Sequence, residues 1–371
     1  MNRAIKLIVG VVLGLAAILA PAAIDHARAQ DNAQNLQIYW IDVEGGAATL
    51  IVSPSGESLL LDTGYPDADR DAKRIFAVAQ KAGLKQIDNV VISHWHRDHE
   101  GGLAALAKMI PIGSFFDHGD GVDPVDKVRL DDYKAVAGGK RTIVKPGDKI
   151  PLQGADVLVV SSEFTLLAQA VNGGGPNPLC ADAAQMGPAG NENQRMVGVL
   201  VTFGAFTFLD LADLDWQKEM ELSCPLNKVG RVSLYQTSRH GSFDGAGAPA
   251  FLAAISPQVI VVNNGPRKGL GQSDDRVKPL EIPGKPAAPY EKNSYLRMAK
   301  LPGIEGIWQG HLSLLDKDPS HNTSPEMIAN FEETAECQGN WINASIAPDG
   351  TFTLTNSRNG FSKTYVARQA K

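Results

Sequence analysis

A strongly basic run is missing from this sequence, and with it the ordinary means of gripping a nucleic-acid polymer. Lysine and arginine number 35 against 41 aspartates and glutamates, for a formal net charge of −6. Tight, salt-dependent binding to a phosphate backbone needs a stripe of cations, so no stable nucleic-acid partner is expected. Cysteine is scarce as well. Only Cys180, Cys224 and Cys337 occur, and none is spaced as a metal-binding pair. An oxidising compartment would permit one disulfide and leave one thiol over. Cys180 and Cys224, both in loop-like sequence, are the favoured pair, and three buried free thiols are the alternative. There is no Gly-x-Ser-x-Gly elbow, no phosphate loop and no dinucleotide fingerprint, which removes three common chemistries. Internal repeats and low-complexity tracts are absent, and beyond the N-terminus no stretch is apolar enough to span a bilayer.

What is present begins with an address. Arg3 and Lys6 form a positive segment, Leu7 to Ala20 an apolar one, and Ala27-Arg28-Ala29 a small-x-small cleavage site. Processing near Ala29 is expected, giving an exported, periplasmic or secreted protein with no membrane attachment afterwards. An uncleaved anchor is the competing reading, but the apolar run is short for one. Loss of these residues takes the net charge from −6 to −8. At 371 residues the chain exceeds the usual single domain, although a large α/β sandwich absorbs most of it.

The densest chemistry lies in Ser93-His94-Trp95-His96-Arg97-Asp98-His99-Glu100-Gly101-Gly102. It follows Asn89-Val90-Val91-Ile92, a short run of β-branched residues that reads as a buried strand. A helix is expected from Leu103 to Met109, so the cluster sits on a strand-to-helix loop, where open α/β sheets place ligands. Neutral imidazole and carboxylate are the ordinary ligands of zinc and related metals. His94 and His96 alternate along an extended segment and so face the same way. Asp98 and His99 come after the chain has turned and address a second position nearby.

This motif resembles the signature of the metallo-β-lactamase superfamily. The resemblance implies an α/β fold of the αβ/βα four-layer type, two mixed β-sheets flanked by helices. It covers roughly residues 36 to 315 and is closest in pattern to the hydrolase domain of the DNA-uptake competence protein branch. The implied organisation is a signal peptide over 1–29, a hydrolase domain over 30–315, and a C-terminal extension over 316–371 with a hairpin packed on the same domain. It also implies two divalent metal ions, zinc with manganese as the alternative. His94 and His96 would hold the first ion; Asp98, His99 and His240 would hold the second. Asp213, in Ala212-Asp213-Leu214, would bridge them, although Ala212 stands where the family carries glycine. Asp210 and Asp215 compete for that role, Asp215 being a good N-cap for a helix starting at Trp216.

Two departures from the family pattern stand out. The third histidine of the first ion is missing, and Asn193, a weaker amide ligand, occupies that region as in the competence-like branch. Arg239 replaces the first histidine of His-His-Gly-Ser, leaving His240 as the ligand. Arg239 could meet an anionic substrate group or form a salt bridge at the rim. His311 is a further candidate, as a proton donor. Asp42 and Asp62, at strand ends, read either as acceptors for the second ring N–H of a metal-bound histidine or as turn caps. Arg267 and Lys268 follow another strand end and read either as a solvated turn or as contacts for a negative substrate.

The leading expectation is an exported hydrolase with Asp98 and Asp213 at its catalytic centre, using a metal-held hydroxide on a small phosphoester or phosphodiester. Hydrolysis of a lactone or β-lactam amide is the alternative within the same chemistry. A non-catalytic exported protein that kept its metal is the alternative from another class.

Overall fold

The short apolar runs become strands covered on both faces, which is why many of them lack simple alternation. In Val259–Val262, Val259 and Val261 enter one core while Ile260 and Val262 enter another. Ser58–Leu61 divides in the same way, Leu59 and Leu61 against Leu60. Alternate residues of a strand point to opposite faces, so each run serves two layers of packing.

The structure is a computed structural model that describes residues 34–181, 183–186, 191–243, 245–272, 289–333 and 337–368. The expected signal peptide lies outside the described residues, as do parts of the loops read over 171–190 and 270–292. Two sheets are formed among the described residues. The first runs, in spatial order, Ser362–Val366, Thr351–Asn356, Ile342–Ile346, Leu36–Trp40, Thr49–Val52, Ser58–Leu61, Ile87–Val91, Ile112–Asp117 and Arg141–Ile143. It is antiparallel up to Ser58–Leu61 and parallel beyond. The second runs Ile328–Asn330, Gly306–His311, Val259–Val262, Leu234–Gln236, Phe206–Asp210, Gly198–Phe203, Asp156–Ser162 and Lys149–Ile150. Its strands are parallel from Ile328–Asn330 to Phe206–Asp210 and antiparallel after that.

Three apolar clusters define four layers. One lies between the sheets and joins Ile38, Ile51 and Leu59 to Val199, Phe208, Val261 and Trp308. A second packs the first sheet against the helices Arg70–Lys81 and Lys127–Ala137 through Ala72, Ile75, Leu130 and Tyr133. The third packs the other sheet against Trp216–Ser223 and Pro249–Ile255. This is the αβ/βα sandwich with two mixed sheets. Among the described residues no helix is long and apolar enough to cross a membrane.

The hairpin read at the C-terminus pairs with the first strand, Leu36 opposite Ile346. A further strand, Ser362–Val366, closes that edge and was not anticipated, because its lysine and threonine positions carry no buried face. The Cys180–Cys224 disulfide is formed, and Cys337 is a buried free thiol. Between the sheets, Trp40 meets Phe208 edge to face at 5.6 Å. Phe208→Ala should cost about 3–5 kcal/mol, the range for an aromatic core truncation, measured as a lower urea midpoint with unchanged slope. A loss below about 1 kcal/mol would show that this contact does not hold the sheets together.

Candidate metal centre

The residues of interest follow the ends of neighbouring parallel strands: Asp62 after Ser58–Leu61, His94 after Ile87–Val91, Asp213 after Phe206–Asp210, and His240 after Leu234–Gln236. Each sheet therefore delivers part of the site from its own edge. Asp62, at φ 61°, is the joint on the first sheet. One of its oxygens accepts the Ser93 N–H at 2.7 Å; the other faces Ser93 Oγ and His99 Nδ1, each at 2.7 Å. With Nδ1–H donated to Asp62, Nε2 of His99 is the nitrogen turned toward the other ligands, and it would offer its lone pair to a metal on release of its proton. Gly101 and Gly102 allow the turn after His99 to seat on the preceding loop. A Cβ at Gly102 would lie 2.1 Å from the Thr63 carbonyl oxygen, and one at Gly101 2.4 Å from Pro66.

On the second sheet, Asp213 sits just past Ala212, whose φ of 41° lies in the left-handed region. That is the physical reason a glycine suits this step. His240 is presented by a tight turn in which Arg239, His240 and Gly241 all have positive φ. His99 Nε2 lies 3.4 Å from Asp213 Oδ1 and 3.6 Å from Asp98 Oδ2. His240 Nε2 lies 3.3 Å and 3.2 Å from the same two oxygens. His94 Nε2 and His96 Nδ1 are 2.8 Å apart. Two ligand groups result: Asp98, His99, Asp213 and His240 in one, His94, His96 and Asp213 in the other, with the donor atoms of each within 4.8 Å of one another. Asp213 belongs to both.

Burial alone would push the two carboxyls up, yet His99 and Lys268 hold Asp98, and His240 and His99 hold Asp213, well below the usual carboxylate range. His99 moves well above its ordinary value, against its burial, because Asp213, Asp62 and Asp98 surround it. His94 is driven well below its ordinary value, by burial first and then by His99 and His96. Ionised carboxylates and a neutral imidazole are the forms that bind metal. The donor set fits divalent ions on a second ground. Asn193 Oδ1 is buried with no hydrogen-bond partner, a costly arrangement that coordination would relieve.

Other residues singled out from the sequence take different places. Asp215 caps the helix, accepting from Lys218 N at 3.0 Å and from Gln194 Nε2 at 2.6 Å. Asp210 accepts the Ala212 N–H, and burial pushes its carboxyl up to about 7. Asn193 is buried on the turn Glu192–Gln194, beside the metal loop, where Glu192 accepts the Trp95 N–H at 3.0 Å. The Arg239 guanidinium turns toward Gly245 and Asp215. His311 pairs with Asp42 at 2.6 Å rather than with Asp98 or Asp213. Asp42 therefore does accept a histidine N–H, but not one from the metal loop. Arg267 pairs with exposed Glu333, while Lys268 reaches the centre: its ammonium ion-pairs with Asp98 and donates to the Tyr65 hydroxyl at 2.9 Å. Its place beside Arg267 after a strand end gave only a generic hint of that contact. His118, between Glu163 and Glu192 at 3.1 Å each, supports the loop from behind.

Residues 41–176 match the family model described as the Metallo-beta-lactamase superfamily. A UPF0173 metal-dependent hydrolase of Herpetosiphon aurantiacus is 32% identical over 74 residues, 20% of this chain and 27% of that protein. The uncharacterized protein YcaI of Escherichia coli is 32% identical over 78 residues, 20% of this chain and 10% of that protein. The chain thus spans a minor part of the curated relatives it matches. Among solved structures, the metallo-beta-lactamase fold protein YhfI from Bacillus subtilis aligns with a TM-score of 0.43 at 12% identity, covering 74% of this chain and 96% of that one.

Two outcomes test this geometry. Asp62→Asn should weaken divalent-metal affinity about 10- to 100-fold, as loss of a carboxylate behind a ligating histidine does, read by competition with a chromophoric chelator. Unchanged affinity would mean that Asp62 does not orient a ligand. Glu100, buried beside the same turn, has its carboxyl pushed from 4.5 up to about 8 by burial. A folded-state pKa above the unfolded one makes ionisation cost stability as pH rises between the two values. Glu100→Gln should therefore gain melting temperature over the parent progressively from pH 5 to pH 8, and a constant difference would contradict this.

Proposed function

We propose that this chain is an exported hydrolase that holds two divalent ions, zinc in the first instance, and cleaves a small phosphoester or phosphodiester. The observation that carries the reading is the sharing of Asp213 by two groups of metal-type ligands. His94 and His96, with the amide oxygen of Asn193, would hold one ion; Asp98, His99 and His240 would hold the other; Asp213 would serve both. A paired divalent centre supplies a nucleophile at neutral pH and polarises the oxygen of the group attacked. Asp62 keeps the ring of His99 in the ligating tautomer. Asp98 adds to its ligand role the orientation of the attacking water. Lys268, braced by Tyr65, offers a fixed ammonium to an anionic oxygen of the substrate.

Several features support the finer points. Asn193 in place of a third histidine, and Ser238-Arg239-His240-Gly241-Ser242, favour the competence-like branch and with it phosphodiester chemistry. The net charge of −6 favours a small substrate over a polymer. Residues 1–29 favour export, and a Cys180–Cys224 disulfide suits an oxidising compartment.

Purified protein supplemented with zinc or manganese would be assayed on bis-p-nitrophenyl phosphate, a chromogenic cephalosporin and a homoserine lactone. Turnover of the phosphodiester that Asp98→Ala abolishes is the expected result. Turnover of only the lactone or the cephalosporin would replace the substrate class, and silence on all three with metal bound would favour a binding protein. Lys268→Ala should lower kcat/KM on the phosphodiester about 10- to 100-fold, the scale of one charge-assisted hydrogen bond, with metal content unchanged. An unaltered kcat/KM would remove Lys268 from substrate binding.

A further inference from the structure

Away from the imidazoles around Asp213, a second set of ligand-type side chains converges. Asp42, Glu44, His311 and Cys337 each offer one donor atom, and the four atoms lie within 4.8 Å of one another. They arrive from separate parts of the chain. Asp42 and Glu44 follow the strand Leu36–Trp40 of the first sheet, and His311 ends Gly306–His311 of the second. Cys337 stands on the stretch that leads into Ile342–Ile346. Asp42, His311 and Cys337 are buried. From the structure we infer that these four residues form a structural site for a zinc-type divalent ion, distinct from the centre at Asp213 and independent of the reaction proposed above.

The spacing fits such an ion. His311 Nε2 is 2.6 Å from Asp42 Oδ1 and 3.6 Å from Glu44 Oε2, and Cys337 Sγ is 3.6 Å from Asp42 Oδ2. Tetrahedral ligands with bonds of about 2.0–2.3 Å stand about 3.3–3.8 Å from each other, so the His311–Asp42 separation has to open. Mixed sulfur, nitrogen and oxygen donors select zinc and its neighbours over magnesium or calcium. Four protein ligands leave no open position, which is the pattern of a structural site rather than a catalytic one.

Arg74 completes the arrangement from outside. Its Nη1 donates to Asp42 Oδ2 at 2.7 Å and to Glu44 Oε1 at 3.1 Å, and its Nη2 to the Cys337 carbonyl at 2.9 Å. The guanidinium thus ties one oxygen of each carboxylate and leaves Asp42 Oδ1 and Glu44 Oε2 facing His311. Charge closes as well. Two carboxylates and a thiolate, which a coordinated cysteine becomes, are balanced by one guanidinium and one divalent ion around a neutral imidazole. A cleft lined by Trp40, Asp42, Gly45, Asn263 and Gly310 lies alongside. The buried indole N–H of Trp40 and the amide oxygen of Asn263 have no hydrogen-bond partner there, polar groups suited to water accompanying an ion. The site would pin both sheets and the C-terminal segment next to Gly46, where a Cβ would lie 2.5 Å from the Asp98 carbonyl oxygen.

Cysteine makes the test specific. Cys180 and Cys224 are joined in a disulfide, and the centre at Asp213 contains no sulfur. A thiolate-to-cobalt charge-transfer band in the near ultraviolet can therefore come only from Cys337. Titration of the metal-stripped full chain with cobalt(II) should produce that band, and Cys337→Ser should lose it together with one bound metal per chain. Parent protein that fills with cobalt without the band overturns the inference whether or not the variant folds. So does a Cys337→Ser protein that retains the parent's metal content.

Discussion

Burying two ionised carboxylates is tolerable only where positive charge or metal faces them, and that constraint organises this molecule. Asp98 and Asp213 lie together beneath the surface, encircled by His94, His99, His240 and the ammonium of Lys268. A lone ionised carboxylate at such a depth would take up a proton instead. The strand ends of two sheets have to meet for these charges to compensate, so the packing between the sheets and the chemistry at their edge depend on each other. Asp62 on one side and the left-handed step at Ala212 on the other fix the two halves in place.

Much of this was legible in the sequence because it is local. His94, His96, Asp98 and His99 fall within six residues after a β-branched run, and short-range geometry alone brings them to one loop. Asp213 and His240 were reachable only through a family resemblance, since no local rule says that residues more than a hundred positions apart will share a centre. The disulfide was the favoured pairing among three cysteines, but spacing could not decide it.

The rest was hidden for physical reasons. Lys268 stands 170 residues from Asp98, and a lysine on a turn is most often solvated. His311 reads as a lone histidine until the second sheet carries it to Asp42, 269 residues earlier. Arg239 looked like a cation near the ligands, yet the positive φ of its own turn sends its side chain toward Gly245 and Asp215. Ser362–Val366 has the weak pattern of an edge strand, whose outward residues answer to water rather than to a core.

One carboxylate, Asp213 of the second sheet, belongs to both sets of ligands. Crystals of the zinc-loaded protein, measured at the zinc absorption edge, test that sharing directly. Two anomalous peaks should flank Asp213, one beside His94 and His96 and the other beside His99 and His240. An Asp213 carboxylate with no anomalous peak on either side would contradict the account.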